Sequence, residues 1–317
     1  MNSSVATPAA ALFSSRAVGF CLAALGAILF SGKAIVVKFT YEYEVDAVTL
    51  IAFRMLFSLP FFAFIGWRQS CRADRGEIPV LTRTECIKLV LLGLIGYYLS
   101  SFLDFLGLRY ISVGLERLIL FLAPTLVLLI TAFWLKRPIA PRQWLALLLS
   151  YLGVVLVFAH DMSQTGGGAV LLGSAFVFAS AFTYALYLIG SGELVKRVGA
   201  MRLTAYAMSV SSIACLVQFF VMHPPSMLIQ PAGFYGLSLI HATVNTVLPV
   251  FMIMSAVSRI GPPLAAQLGM LGPVSVLFLA YWFLGEPVTA WQLAGTAFVL
   301  AGVFVLTAPT SALAKRK

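Results

Sequence analysis

The chain has 317 residues, 61% of them hydrophobic and 10% charged, with a mean hydropathy of +0.99 and a formal net charge of +10. A soluble core of this size needs nothing like that apolar content, and apolar runs that continue without alternation exclude a β-barrel. Runs close to twenty apolar residues recur along the whole length, which is enough to cross a bilayer as helices that satisfy their own backbone hydrogen bonds. The positive surplus reads as loop charge that sets membrane orientation. A lipid bilayer is therefore expected as partner, and nucleic acid is not.

In chain order, the first apolar run covers 17–37. Arg16, this run and Ser31-Gly32 have the outline of a cleavable leader, but the run continues past Lys33 to Phe39 and reads as a first helix. Helices are then expected at 47–67, 87–108, 112–134 and 142–159. Gly166-Gly167-Gly168 is expected to break the chain. Five more follow at 169–190, 203–222, 232–257, 262–283 and 290–308. The fold class is an all-α membrane protein of ten transmembrane helices. Cys21 and Cys215 lie inside apolar runs, and Cys71 and Cys86 lie in or beside a basic loop without metal-site spacing. All four read as free thiols.

The chain repeats itself at an offset of 149 residues. Pro124 lands on Pro273, Pro138 on Pro287, Gln143 on Gln292, Gly153 on Gly302 and Ser31 on Ser180, with no gap between 108 and 157. Apolar coincidences mean little in a Leu-rich chain, but Pro, Gln and Gly at one constant offset mark a duplication. The two units are placed at 17–159 and 169–308. Five helices per unit is odd, so the second unit enters the membrane from the opposite side. With the N-terminus inside, sixteen basic residues fall in cytoplasmic segments: Arg16, Arg68, Arg72, Arg75, Arg83, Lys88, Lys136, Arg137, Arg142, Lys196, Arg197, Arg202, Arg259, Lys315, Arg316 and Lys317. Only Lys38 and Arg109 fall outside, so the expected topology is N-in and C-in. Lys136-Arg137-Pro138 and Gly285-Glu286-Pro287 are then the same turn, facing opposite sides of the membrane.

An apolar helix with a central Pro, then Leu284-Gly285-Glu286-Pro287-Val288-Thr289, Gln292 and a Gly-rich apolar helix, resembles the EamA family of the drug/metabolite transporter superfamily. The first unit, Leu135-Lys136-Arg137-Pro138, lacks the Glu. The resemblance covers nearly the whole chain as two units. It implies a transporter with substrate near the repeat interface, and says little about which substrate. Glu286 reads as a turn and cap residue.

Polar residues at membrane depth are costly, and they are the candidate site. Lys33, Arg54, Asp104, Glu116 and Arg117 all fall in the outer third of the first unit. Two readings stand side by side: snorkelling side chains with packing salt bridges, or a charged layer facing a cavity. Tyr97, Ser101 and Asp104 share one helix face, as do His241 and Asn245. The last two either bond between helices or line a wet cavity. The substrate-binding set is therefore Lys33, Arg54, Tyr97, Ser101, His241 and Asn245, with Asp104, Glu116 and Arg117 as a gate. If the two carboxylates neutralise two cations, one is left over; Lys33, on a flexible stem, is expected to be that one and to meet a substrate carboxylate. Phe30, Tyr98, Tyr184, Tyr187 and Tyr206 are further candidates for the path. Pro124 and Pro273 are expected to kink their helices around it.

There is no phosphate-binding Gly-rich loop, no metal-ligand set and no G-x-S-x-G elbow. No cofactor and no metal are expected, and His160-Asp161, placed in a loop, has no nucleophile partner. The reading is a secondary transporter, not an enzyme, in a bacterial-type inner membrane. It moves a small polar metabolite by alternating access, exporting an amino acid or related carboxylate. A broad drug exporter, a membrane-embedded enzyme and a non-transporting scaffold are the alternatives. Oligomeric state is not legible.

Overall fold

The computed structural model describes residues 8–134, 136, 138–165 and 167–307. Among them there is no strand, and ten helices are long and apolar enough to cross a membrane. We number these spans α1 Arg16–Tyr41, α2 Ala47–Asp74, α3 Arg83–Leu108, α4 Val113–Trp134, α5 Pro141–Gln164, α6 Gly167–Gly192, α7 Ala200–Met222, α8 Ala232–Ile260, α9 Gln267–Leu284 and α10 Ala290–Thr307. The chain is a multi-pass membrane protein.

Two local expectations are corrected. Gly167 and Gly168 open helix α6 rather than break the chain, while Gly166 lies outside the described residues. His160 and Asp161 are not in a loop, because α5 carries on through them. Asp161 accepts a hydrogen bond from Ser112 at 2.7 Å, and His160 stacks on Trp291 with ring centroids 6.0 Å apart.

The packing obeys the duplication. α1 packs on α8, and its equivalent α6 packs on α3. α2, α4 and α5 each pack on their own mates α7, α9 and α10. The α5–α10 pair can cross closely because Gly153 and Gly295 face each other, and a Cβ on either would collide with the other's carbonyl oxygen.

The irregularities repeat as well. A π-helical stretch at Leu94–Leu99 in α3 recurs at Thr243–Val247 in α8. α4 breaks at Phe121-Leu122 and α9 at Met270, three residues before Pro124 and Pro273. The ring of each Pro cannot donate a hydrogen bond, so the turn before it opens as expected. α1 has one further break, at Gly32, against which the Asn245 side chain lies closely enough that a Cβ would not fit.

Candidate substrate cavity

Helices α1 to α4 and α6 to α9 enclose a cavity of ≈ 400 Å³; α5 and α10, paired with each other, contribute nothing to its wall. At one level the wall is charged, with Lys33, Arg54, Asp104 and Arg117. From there it runs past Tyr97, Ser101, Ser180, Tyr184 and Asn245 to Thr204 and Met254. The last two lie near the ends of α7 and α8 that face the strongly basic loops. The opposite end is shut. Val37, Leu108 and Val113 are fully buried there. Tyr41 donates to the Phe105 carbonyl at 2.6 Å, and Lys38 to the Ile111 carbonyl at 2.8 Å.

The charged layer is a network. Lys33 Nζ lies 2.6 Å from Asp104 Oδ2 and 3.7 Å from Glu116 Oε1, and Arg117 Nε lies 3.7 Å from Glu116 Oε2. Arg117 also donates to the Ser31 carbonyl at 3.2 Å, next to the Gly32 break. Two cations and two carboxylates therefore balance. Desolvated charges are tolerable only when paired in this way.

Lys33 is thus not the leftover cation. That place belongs to Arg54, which is 5% exposed and makes no ion pair among the described residues. Its guanidinium reaches Ser101 Oγ at 3.4 Å and sits 5.2 Å from the Phe105 ring centroid, while its Nε has no partner. Sequence position put both cations in one layer. Helix rotation and the Gly32 break decide which of them reaches Asp104.

Tyr97, Ser101 and Asp104 face the cavity together, and Asn245 reaches it from the other unit. Asn245 donates to the Leu29 carbonyl at 2.6 Å through its amide nitrogen, leaving its buried oxygen without a protein partner. His241 is a correction. It does not line the cavity but is buried behind it, stacked on Phe105 at 5.5 Å with an interplanar angle of 23°. Glu116, fully buried, also stands behind the wall rather than in it.

Of the aromatic candidates, Phe30 and Tyr184 line the cavity. Tyr187 supports it through a 3.3 Å hydroxyl contact with Tyr97. Tyr98 packs against the apolar core, and Tyr206 bonds to Ser70 at 2.6 Å. Sequence reasoning missed Ser100, whose hydroxyl meets that of Ser180 at 3.0 Å and bridges the two units. The match of Ser31 to Ser180 was the available signal.

The Glu286 side chain reaches across to the other unit. It accepts the backbone N–H of Val113 at 3.2 Å, so the second unit holds the start of α4 at the closed end. Burial raises its carboxyl above the usual range, against the nearby Lys38 ammonium and the Val113 N–H, which pull it down.

Ten helices in two inverted five-helix repeats, arranged around a largely apolar cavity with one charged layer at their interface, define a class of membrane carrier architecture. The model of the EamA-like transporter family matches residues 17–159 and 171–308, and the chain belongs to that family. It is 28% identical to "Uncharacterized transporter YcbK" of Bacillus subtilis (strain 168), over 90% of this chain and 93% of that protein. It is 23% identical to an "Uncharacterized transporter" of Archaeoglobus fulgidus, over 90% of this chain and 96% of the relative. A solved crystal structure shares the fold at a TM-score of 0.61 and 17% identity, over 96% of this chain and 98% of the other.

Proposed function

We propose that the chain is a secondary transporter of the cell inner membrane that exports a small zwitterion of the amino acid type by alternating access, with both termini in the cytoplasm. One observation carries the choice of ligand. Four buried atoms on the cavity residues have no hydrogen-bond partner: Arg117 Nε, which keeps Glu116 as ion partner at 3.7 Å, and three left for a ligand, namely Arg54 Nε, a donor, and Asp104 Oδ1 and Asn245 Oδ1, both acceptors. Buried polar atoms without partners are expensive, so a ligand that satisfies all three is favoured. A carboxylate meets Arg54, and an ammonium meets Asp104 and Asn245. A plain carboxylate serves only the first, and a plain amine only the others.

The depth of the cavity and the seal at Val37, Leu108 and Val113 support a resting state open toward the basic loops, which the charge bias makes cytoplasmic. The family's members in Bacillus and Archaeoglobus carry the name transporter, which agrees with this reading. Thermal stabilisation of purified protein tests the ligand class. Amino acids should raise the melting temperature, and neither their methyl esters nor their deaminated analogues should match them. Equal stabilisation by the free amino acid and its ester would remove Arg54 from the account.

A further inference from the structure

The twofold relation between the units fails at one seam. α2 packs against Ser100–Leu108 of α3, yet the equivalent contact, α7 against Leu248–Ile260 of α8, is nearly absent. Beside that seam runs a groove of ≈ 630 Å³, walled mainly by α2 and completed by Met201 and Phe251.

The α2 wall changes character along its length. Pro60, Phe61, Phe64 and Ile65 are apolar; Arg68, Gln69 and Arg72 follow on the same face at helical spacing. The change falls at Trp67, which is 61% exposed and sits where an interfacial aromatic belongs. At 1.5 Å per residue the apolar part spans about 8 Å, within the roughly 15 Å of one hydrocarbon leaflet. Arg68 makes no ion pair among the described residues. Arg72 bonds at 2.8 Å to Glu77, a half-exposed carboxylate outside the groove, so the polar end keeps net positive charge.

We propose that this groove holds one anionic phospholipid, its phosphate between Arg68 and Arg72 and one acyl chain along Phe61, Phe64 and Phe251, covering the seam between α7 and α8. The charge selects an anionic headgroup, and the apolar strip below it selects a tail rather than a free phosphate.

The test is native mass spectrometry of the purified full chain titrated with phosphatidylglycerol or phosphatidylcholine. One phosphatidylglycerol should bind about tenfold or more tighter than phosphatidylcholine, given about 1 kcal/mol per basic residue at an anionic headgroup. The double variant Arg68→Gln/Arg72→Gln should lose that preference. Arg75→Gln/Arg83→Gln, with the same change in net charge beside the groove, should keep it. Phosphatidylglycerol carrying a diazirine in its tail should label peptides containing Phe64 or Phe251 in the unaltered protein, which needs no variant to fold. Equal binding of the two lipids, equal loss in both double variants, labelling elsewhere, or a protein dimer in place of the lipid adduct would each overturn the proposal.

Discussion

Lys33 and Arg54 lie in one layer, but their substitutions should have opposite signatures. Lys33→Met strands Asp104 and Glu116 without their shared cation, and breaking a buried pair from one side costs about 3–5 kcal/mol. The melting temperature should fall sharply, with transport lost as a consequence. Arg54→Gln removes a charge that no carboxylate compensates. The melting temperature should hold while stabilisation by ligand disappears. A variant at position 54 that unfolds while the one at position 33 stays stable would reverse the assignment. The residue types were legible in the sequence, because each is costly at that depth. The pairing was not, because it depends on helix rotation, which packing sets. His241 was misplaced for a definable reason. It stands four residues before Asn245, and that spacing gives one face only in α-geometry. Asn245 lies inside the π-helical stretch at Thr243–Val247, whose wider turn breaks that spacing.

At the scale of elements, α2 begins at a cap that sequence reading passed over. Asp46 accepts the Thr49 N–H at 3.0 Å, and His223 Nε2 lies 3.0 Å from its other oxygen. Burial works against ionising Asp46, but the hydrogen bonds from Thr49 and His223 outweigh it and hold its carboxyl below the usual range. A lowered pKa contributes stability that is present above the unfolded value and lost as pH falls through the folded one. Asp46→Ala should therefore cost about 1 kcal/mol near neutrality, seen as a lower melting temperature. The gap to the unaltered protein should close only below the ordinary carboxylate range. A gap that persists unchanged in strong acid would contradict the cap. Helix breaks at Pro124 and Pro273 were readable, since Pro acts locally. The π-helical stretches were not, since no residue type announces them. The open α7–α8 seam and the packed α2–α3 contact are equivalent by duplication, so the other transport state should exchange them. Spin labels at Met201 and Ser258 should then report two separations whose populations shift with ligand. A single ligand-independent distance would mean the seam is static.

For the whole molecule, the duplication and the ten spans were legible because they are written in composition, periodicity and a constant offset. Orientation rests on the loop charges. Cys71 and Cys86, at the basic-loop end, should react with a membrane-impermeant thiol reagent only after cells are opened, while Arg109→Cys, at the other end, should react in intact cells. The reverse pattern would invert the protein in the membrane. On the proposed function, cavity, seal and seam together describe a carrier open on one side. The most direct measurement is counterflow in proteoliposomes loaded with unlabelled amino acid. The account predicts transient uptake of the labelled amino acid by the unaltered protein, none with Arg54→Gln, and no competition from the methyl ester. Absence of counterflow from the unaltered, folded protein across an amino acid panel, or undiminished counterflow with Arg54→Gln, would contradict it.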